Sequence, residues 1–195
     1  LSQAVESYWA VKSTQESKKY ASEAIVLILE VLQSAVAGNK KARIIMSKAA
    51  NLAGKAINIT TTTAPHAISY PITTYFGLQH GHAVALTLGY FFEINYNFED
   101  TDILDDRGAE YVRDTMMELF NMFGVKCALD CKRKWHNLMD SIGLEYNLKN
   151  IGISSEREID KIIDNIDMNR LKNNPVRISK YALKEVFIAM TTNKE

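Results

Sequence analysis

Residues 58–85 read NITTTTAPHAISYPITTYFGLQHGHAVA, and this stretch is the least ordinary part of the 195-residue chain. Three of the four histidines of the chain, His66, His80 and His82, fall within 17 residues of it. The four preceding threonines are poor helix formers, whereas Pro65 suits the first turn of a helix. Imidazole is the commonest ligand for transition metals near neutral pH, so this cluster favours a metal site, although its spacing is not a generic metal motif.

Outside this stretch, apolar residues recur every three or four positions, which is typical of helices packed on a core. Ser13–Glu16 and Ser155–Glu158 each have the Ser-x-x-Glu form of a capping box, which predicts the start of a helix. Pro71 is expected to disturb the helix that precedes it. No strand alternation or internal repeat is visible. The pattern therefore predicts an all-α fold of seven or eight helices in a single domain, residues 1–195.

The composition excludes several classes of protein. The 23 Lys and Arg residues balance 23 Asp and Glu residues, and zero net charge argues against a nucleic-acid partner or an anionic membrane surface. No apolar run approaches the roughly 20 residues that span a bilayer. The two cysteines, Cys127 and Cys131, are expected to be a reduced pair, and no secretory signal is visible. These features predict a cytoplasmic protein without a membrane partner.

The segment APHAISYPITTYFGLQHGHAVAL, residues 64–86, resembles the metal-binding signature of the iron-containing (group III) alcohol dehydrogenase family. In that signature a His is followed five residues later by Pro, and fourteen residues later by a second His and then Gly. Here these positions are His66, Pro71, His80 and Gly81. The match is specific because its parts occur in the same order and at the same separations.

Two further segments resemble the same family: LSQAVESYW at residues 1–9, and NNPVRIS at residues 173–179, which is similar to its Asn-Pro-Arg segment with one inserted residue. The resemblance covers essentially the whole chain but only the C-terminal helical half of such an enzyme. It implies a helical metal- and substrate-binding domain whose N-terminal nucleotide-binding partner domain is absent here. The start at Leu1, without Met, is expected to be a cut inside a helix.

The family holds its metal with an Asp, a His four residues later, and two further His residues. The resemblance implies that His66 and His80 are ligands and that Gln3 occupies the second ligand position, with the Asp outside this chain. An amide oxygen is a poorer ligand for Fe²⁺ or Zn²⁺ than imidazole, so the identity and the occupancy of the metal are both in question. The alternative for Gln3 is a solvent-facing helix residue.

The resemblance also implies a reaction, metal-assisted hydride transfer between an alcohol or aldehyde and NAD(P). Tyr70 lies one helical turn after His66, where many family members have a second His, and is the catalytic candidate; its alternative is core packing. His82 is the candidate for contact with the nicotinamide cofactor, and its alternative is simply to open the next helix. His136, in the basic segment KRKWH, is expected on a solvated helix face.

The identity of the substrate is less constrained. Gln at the second ligand position, with the Thr-rich segment and Ala-Pro-His, resembles reductases of phosphonoacetaldehyde. A phosphonate requires a nearby cation, and Lys55 is the obvious one in the sequence. The alternatives are an enzyme similar to dehydroquinate synthase or glycerol dehydrogenase, and a non-catalytic helical module. Beside a small alcohol or aldehyde, a second copy of the chain is a candidate partner, because apolar surface would be exposed where the absent half docks.

Overall fold

The computed structural model describes residues 1–192 of the chain, and this range contains nine α-helices. They are α1 (Ser2–Trp9), α2 (Gln15–Val36), α3 (Lys40–Thr60), α4 (Ala64–Phe76), α5 (His80–Ile94), α6 (Ala109–Met122), α7 (Ala128–Ser141), α8 (Glu156–Asp164) and α9 (Lys180–Thr192). An isolated antiparallel bridge between Ile103 and Val176 is the only β-type pairing within this range. The all-α prediction is confirmed, and the last three positions of the predicted domain, 193–195, lie outside the described residues.

The predicted count of seven or eight helices is slightly low, since the described residues contain nine. The expected disturbance at Pro71 does not end a helix either. Helix α4 continues through Pro71 to Phe76. The proline removes one backbone hydrogen bond, but the flanking Ile68 and Ile72 are fully buried, and their packing offsets that loss. The helix ends instead at Gly77, whose φ of +70° is a left-handed conformation that glycine adopts without strain.

The two predicted capping boxes have different outcomes. The first is displaced by one residue: Thr14 is the N-cap of α2, its hydroxyl accepts from the Ser17 amide at 3.1 Å, and the Ser17 hydroxyl accepts from the Thr14 amide at 2.8 Å. A serine three residues after the cap thus replaces the expected glutamate. The second is confirmed, because Ser155 caps α8 and Glu158 accepts from the Ser155 amide at 2.9 Å.

A continuous cluster of buried apolar side chains includes residues from every one of the nine helices. Helices α2 and α3 form a hairpin, and α1 packs against both of them and against α5. Trp9, at the end of α1, meets Phe92 of α5 edge to face, with ring centroids 5.6 Å apart. Cys127 and Cys131 are free thiols. Within residues 1–192 no helix combines the length and the apolar character needed to cross a membrane.

His136 is partly buried, so the prediction of a solvated face is wrong. Its ring stacks on Tyr146 with centroids 4.4 Å apart and an interplanar angle of 5°. Gly89 lies so close that a Cβ atom there would be 3.1 Å from Nε2 of His136. Burial, assisted by the positive charge of Lys132, lowers the pKa of His136 to about 4. The histidine therefore stays neutral in the folded protein at pH values where it is protonated in the unfolded chain.

Because of this lowered pKa, the free energy of unfolding is expected to decrease in acid. The variant His136→Phe should not show that decrease. The contribution is complete above about pH 6.5, the ordinary histidine value, and is lost as pH falls towards 4, because the unfolded state binds the extra proton. For a fully buried ring, the contribution of His136 to the free energy of unfolding would be about 3 kcal/mol. Water screens the partly exposed ring, so the expected contribution is about 2 kcal/mol. Urea unfolding between pH 8 and pH 4 measures it. A constant difference between wild type and variant over that range contradicts the prediction.

Candidate metal centre

The fold brings His66 and His80 together although 13 residues separate them. His66 lies in the first turn of α4, and the chain reverses after Gly77 so that His80 begins α5 beside the middle of α4. The centroids of the two imidazole rings are 5.3 Å apart, at an interplanar angle of 65°. This arrangement is the one expected from the bend between the two histidines, and their role as metal ligands stays a prediction.

A buried carboxylate holds the His66 ring in place. Glu6 of α1 is fully buried, and its Oε1 atom accepts a hydrogen bond from Nδ1 of His66. Its Oε2 atom accepts from the backbone amide and from the hydroxyl of Thr63, both at 2.7 Å. Trp9 donates to the same hydroxyl at 2.9 Å. Because a carboxylate at Nδ1 requires an N–H there, the lone pair of the neutral His66 ring lies on Nε2.

Ser69 provides the oxygen acceptor at Nδ1 of His80, as Glu6 does for His66. Its hydroxyl has a single proton, which it donates to the backbone carbonyl of His66 at 2.7 Å. The hydroxyl oxygen, 3.3 Å from Nδ1 of His80, therefore accepts from that nitrogen. Burial, with a smaller contribution from His66, lowers the pKa of His80, which favours the neutral ring. The His80 lone pair accordingly also lies on Nε2.

The chemistry of these donors fits a divalent transition metal. Both imidazoles have Nδ1 occupied by an oxygen acceptor and Nε2 available, which is the usual arrangement of metal-binding histidines. Among residues 1–192, no three His, Cys, Asp or Glu side chains lie close enough together to hold a metal ion. His66 and His80 would therefore form part of a coordination sphere that other groups complete. Gln3 is exposed and lies three residues before Glu6, on the same face of α1. Its ligand role stays a prediction.

Tyr70 is exposed and lies against His80, so the core-packing alternative is wrong. The residue is 41% exposed, and its ring stacks on His80 with centroids 5.7 Å apart and an interplanar angle of 29°. The phenol oxygen accepts from Nη1 of Arg170 at 3.1 Å, and the guanidinium carbon lies 4.7 Å from the ring centroid. A phenol therefore contacts the His80 imidazole, and a cation contacts that phenol.

Comparison with known proteins identifies the family of the chain. Residues 1–191 match the family described as the Fe-containing alcohol dehydrogenase family, C-terminal. The chain belongs to this family. The match confirms the resemblance identified from residues 64–86 and favours the alcohol dehydrogenase branch over the dehydroquinate synthase alternative.

Individual relatives indicate which members of this family the chain resembles. The chain is 38% identical over 115 residues to the phosphonoacetaldehyde reductase of Streptomyces viridochromogenes, a match that covers 58% of this chain and 29% of that protein. The sulfoacetaldehyde reductase of Bifidobacterium kashiwanohense, solved in complex with NAD⁺, is 29% identical, with a TM-score of 0.81 over 99% of this chain and 48% of that one. The iron-containing alcohol dehydrogenase of Thermococcus thioreducens, at 22% identity, shares the fold with a TM-score of 0.84. The chain spans about half the length of these solved structures.

His82 makes a structural contact in this alcohol dehydrogenase domain. Its Nε2 atom donates to the backbone carbonyl of Glu145 at 2.6 Å, which ties the start of α5 to the segment after α7. Only Nδ1 is left for another partner, so a contact with the nicotinamide cofactor stays a prediction.

The cation beside the site is Arg170, whereas the sequence pointed to Lys55. Lys55 is exposed on α3 and lies over the Tyr20 ring, 5.5 Å from its centroid. Arg170 contacts Tyr70 from 100 positions further along the chain. Its signal in the sequence was its position three residues before the NNPVRIS segment, which already resembled the iron-containing alcohol dehydrogenases.

Asn173 holds the threonine loop that leads into α4, the helix that carries His66. Its buried side-chain amide donates to the backbone carbonyls of Thr60 at 2.8 Å and Thr62 at 3.0 Å. Between them, Thr61 has a φ of +60°, which is rare for a β-branched residue and costs about 1–3 kcal/mol. The contacts of Asn173 offset that strain. Because Thr63 comes two residues later and binds the buried carboxylate, the loop sets the position of the His66 support.

Proposed function

We propose that this chain is the metal- and substrate-binding part of an NAD(P)-linked enzyme that interconverts a small aldehyde and its alcohol. The observation that carries the proposal is the pair His66 and His80, each with Nδ1 occupied by an oxygen and a lone pair on Nε2. When bound, a divalent metal supplies a Lewis acid for the substrate oxygen, and NAD(P) supplies or takes the hydride. His66, His80 and Gln3 are the residues that would hold the metal, with the remaining ligand from outside this chain.

Tyr70 supports the proposal as a group next to the reacting oxygen. Its phenol oxygen accepts from Arg170, so its own O–H proton is available to a substrate oxygen or to a proton relay. His82 would contact the nicotinamide through Nδ1. The partner that we propose is an N-terminal nucleotide-binding domain. Beyond it we expect a second copy of the chain as partner and a cytoplasmic location.

For the substrate, we infer a small aldehyde of the kind named for the relatives, with phosphonoacetaldehyde as the leading candidate. The Streptomyces relative is a phosphonoacetaldehyde reductase and the Bifidobacterium structure is a sulfoacetaldehyde reductase. Phosphonate and sulfonate are both tetrahedral oxyanions, so the cation of Arg170, in contact with Tyr70, supports this class of substrate. The non-catalytic helical module remains as the outcome that the following experiment would reveal.

The test uses the complete protein that contains this chain. Metal analysis is expected to find a bound divalent ion, and oxidation of NADH or NADPH is expected with phosphonoacetaldehyde in a panel of small aldehydes. Chelation should abolish turnover, and addition of Fe²⁺ or Zn²⁺ should restore it. Turnover that is equal in metal-free and metal-loaded protein would contradict the metal role. A metal-loaded protein that reduces no aldehyde in the panel would favour the non-catalytic module.

A further inference from the structure

A basic cleft of about 380 Å³ adjoins the Tyr70–His80 stack, because Arg170 lines the cleft and donates a hydrogen bond to Tyr70. Its wall contains three cations, Lys12, Arg170 and Lys172, together with the hydroxyl-bearing Thr61 and Thr62. Among the residues of the described chain that line it, none is acidic. The charge and the hydroxyl groups of this wall are suited to an anion.

Arg170 is held in place while it keeps donors for a ligand. Its Nη1 atom donates to the Tyr70 phenol, and its guanidinium lies over the Tyr70 ring. Its Nε atom is 3.5 Å from Oδ2 of Asp167, but both side chains are about half exposed, so this pair is weak. Within residues 1–192, the Nη2 atom makes no hydrogen bond. A guanidinium oriented in this way loses little freedom when it binds a second partner.

The side chains of His80, Tyr70 and Arg170 lie in contact one after another, and two distances describe their spacing. The Tyr70 centroid is 5.7 Å from that of His80 and 4.7 Å from the guanidinium carbon of Arg170. The guanidinium is thus one aromatic ring beyond the candidate metal ligand. Arg170 is therefore the basic residue that is linked, through Tyr70, to the histidine pair.

We propose that Arg170 binds the anionic group of the substrate and determines the preference for aldehydes that carry a tetrahedral oxyanion. The inference rests on the proposed function, because it locates one end of the substrate at the histidine pair. The planar guanidinium fork matches two oxygens of a phosphonate or sulfonate. Lys12 and Lys172 in the same cleft add positive charge, which favours the more highly charged phosphonate over the sulfonate.

The experiment compares substrates and variants in the complete protein that contains this chain. For Arg170→Gln, the ratio of kcat/KM for phosphonoacetaldehyde to kcat/KM for propionaldehyde is expected to fall about 30-fold or more, mainly through KM for the anionic aldehyde. Arg170→Lys keeps the charge without the fork and should retain part of the ratio. The fall should be smaller with sulfoacetaldehyde. Calorimetry should show that methylphosphonate binds the wild type and not Arg170→Gln.

Arg133→Gln is the matched control. Arg133 also pairs with an aspartate three residues earlier, at 3.7 Å from Asp130, and does not line the cleft. The substrate ratio and the binding of methylphosphonate should both be unchanged in this variant.

The outcomes separate this inference from the proposed function. If Arg170→Gln slows both aldehydes in the same proportion and still binds methylphosphonate, Arg170 is a structural residue and the inference is overturned while the proposed function stands. If the wild type reduces no aldehyde but binds methylphosphonate through Arg170, the anion site stands and the proposed function fails.

Discussion

Replacement of either histidine, in His66→Ala or His80→Ala, is expected to abolish bound metal in the complete protein and to reduce turnover to background. Each substitution removes one of the two Nε2 lone pairs that the structure brings together. Within residues 1–192 no group of three His, Cys, Asp or Glu side chains is arranged to hold a metal ion, and the neighbouring Glu6 carboxylate is already bound to Nδ1 of His66 and to Thr63. Metal per chain, measured by mass spectrometry after gel filtration, and NAD(P)H oxidation with the best aldehyde are the two readouts.

The control for this prediction is His136→Phe. His136 stacks on Tyr146 in another part of the fold, so its replacement should leave metal content and turnover near pH 8 unchanged. Circular dichroism of the two alanine variants checks that the helices are intact. Unchanged metal content and unchanged turnover in both alanine variants would refute the metal centre.

The histidine pair could be predicted from the sequence because its signal is local. His66 and His80 belong to one short segment whose spacing resembles a known signature, and the helices on either side follow from apolar periodicity. The effect of Pro71 was not predictable from the same segment. Proline disfavours a helix interior by itself, and the fully buried Ile68 and Ile72 that outweigh it are recognised only once the core is known.

Two residues of the site were missed because their roles depend on contacts distant in sequence. Glu6 contacts Thr63 and His66, nearly 60 positions away, and Arg170 contacts Tyr70, 100 positions away. Glu6 did leave a local signal. It stands among small and apolar residues in LSQAVESYW, all of which from Ala4 onward are buried. A lone acid in a buried helix has to meet donors, so it could have been identified as a functional residue.

Glu6→Gln is expected to weaken metal binding about 10- to 100-fold while the fold is retained, because support behind a ligand histidine has effects of this size. The amide has one oxygen and one NH₂ group in place of two carboxylate oxygens. If its oxygen keeps the two hydrogen bonds from Thr63, its NH₂ group faces Nδ1 of His66 and donates to it. The proton of the neutral ring then moves to Nε2, and the lone pair that would bind the metal is lost.

The opposite orientation of the amide has a different cost. Its NH₂ group would then face the Thr63 amide and hydroxyl, and an unsatisfied buried donor costs about 1–3 kcal/mol of stability. Competition with a metal chelator measures the first effect, and urea unfolding of the metal-free protein measures the second. Glu118→Gln is the control, since this carboxylate also accepts from an α1 side chain, Tyr8 at 2.9 Å, but does not contact the histidines. Each orientation loses one set of contacts, either with His66 or with Thr63. A Glu6→Gln protein that kept both wild-type metal affinity and wild-type stability would therefore contradict the geometry of the buried carboxylate.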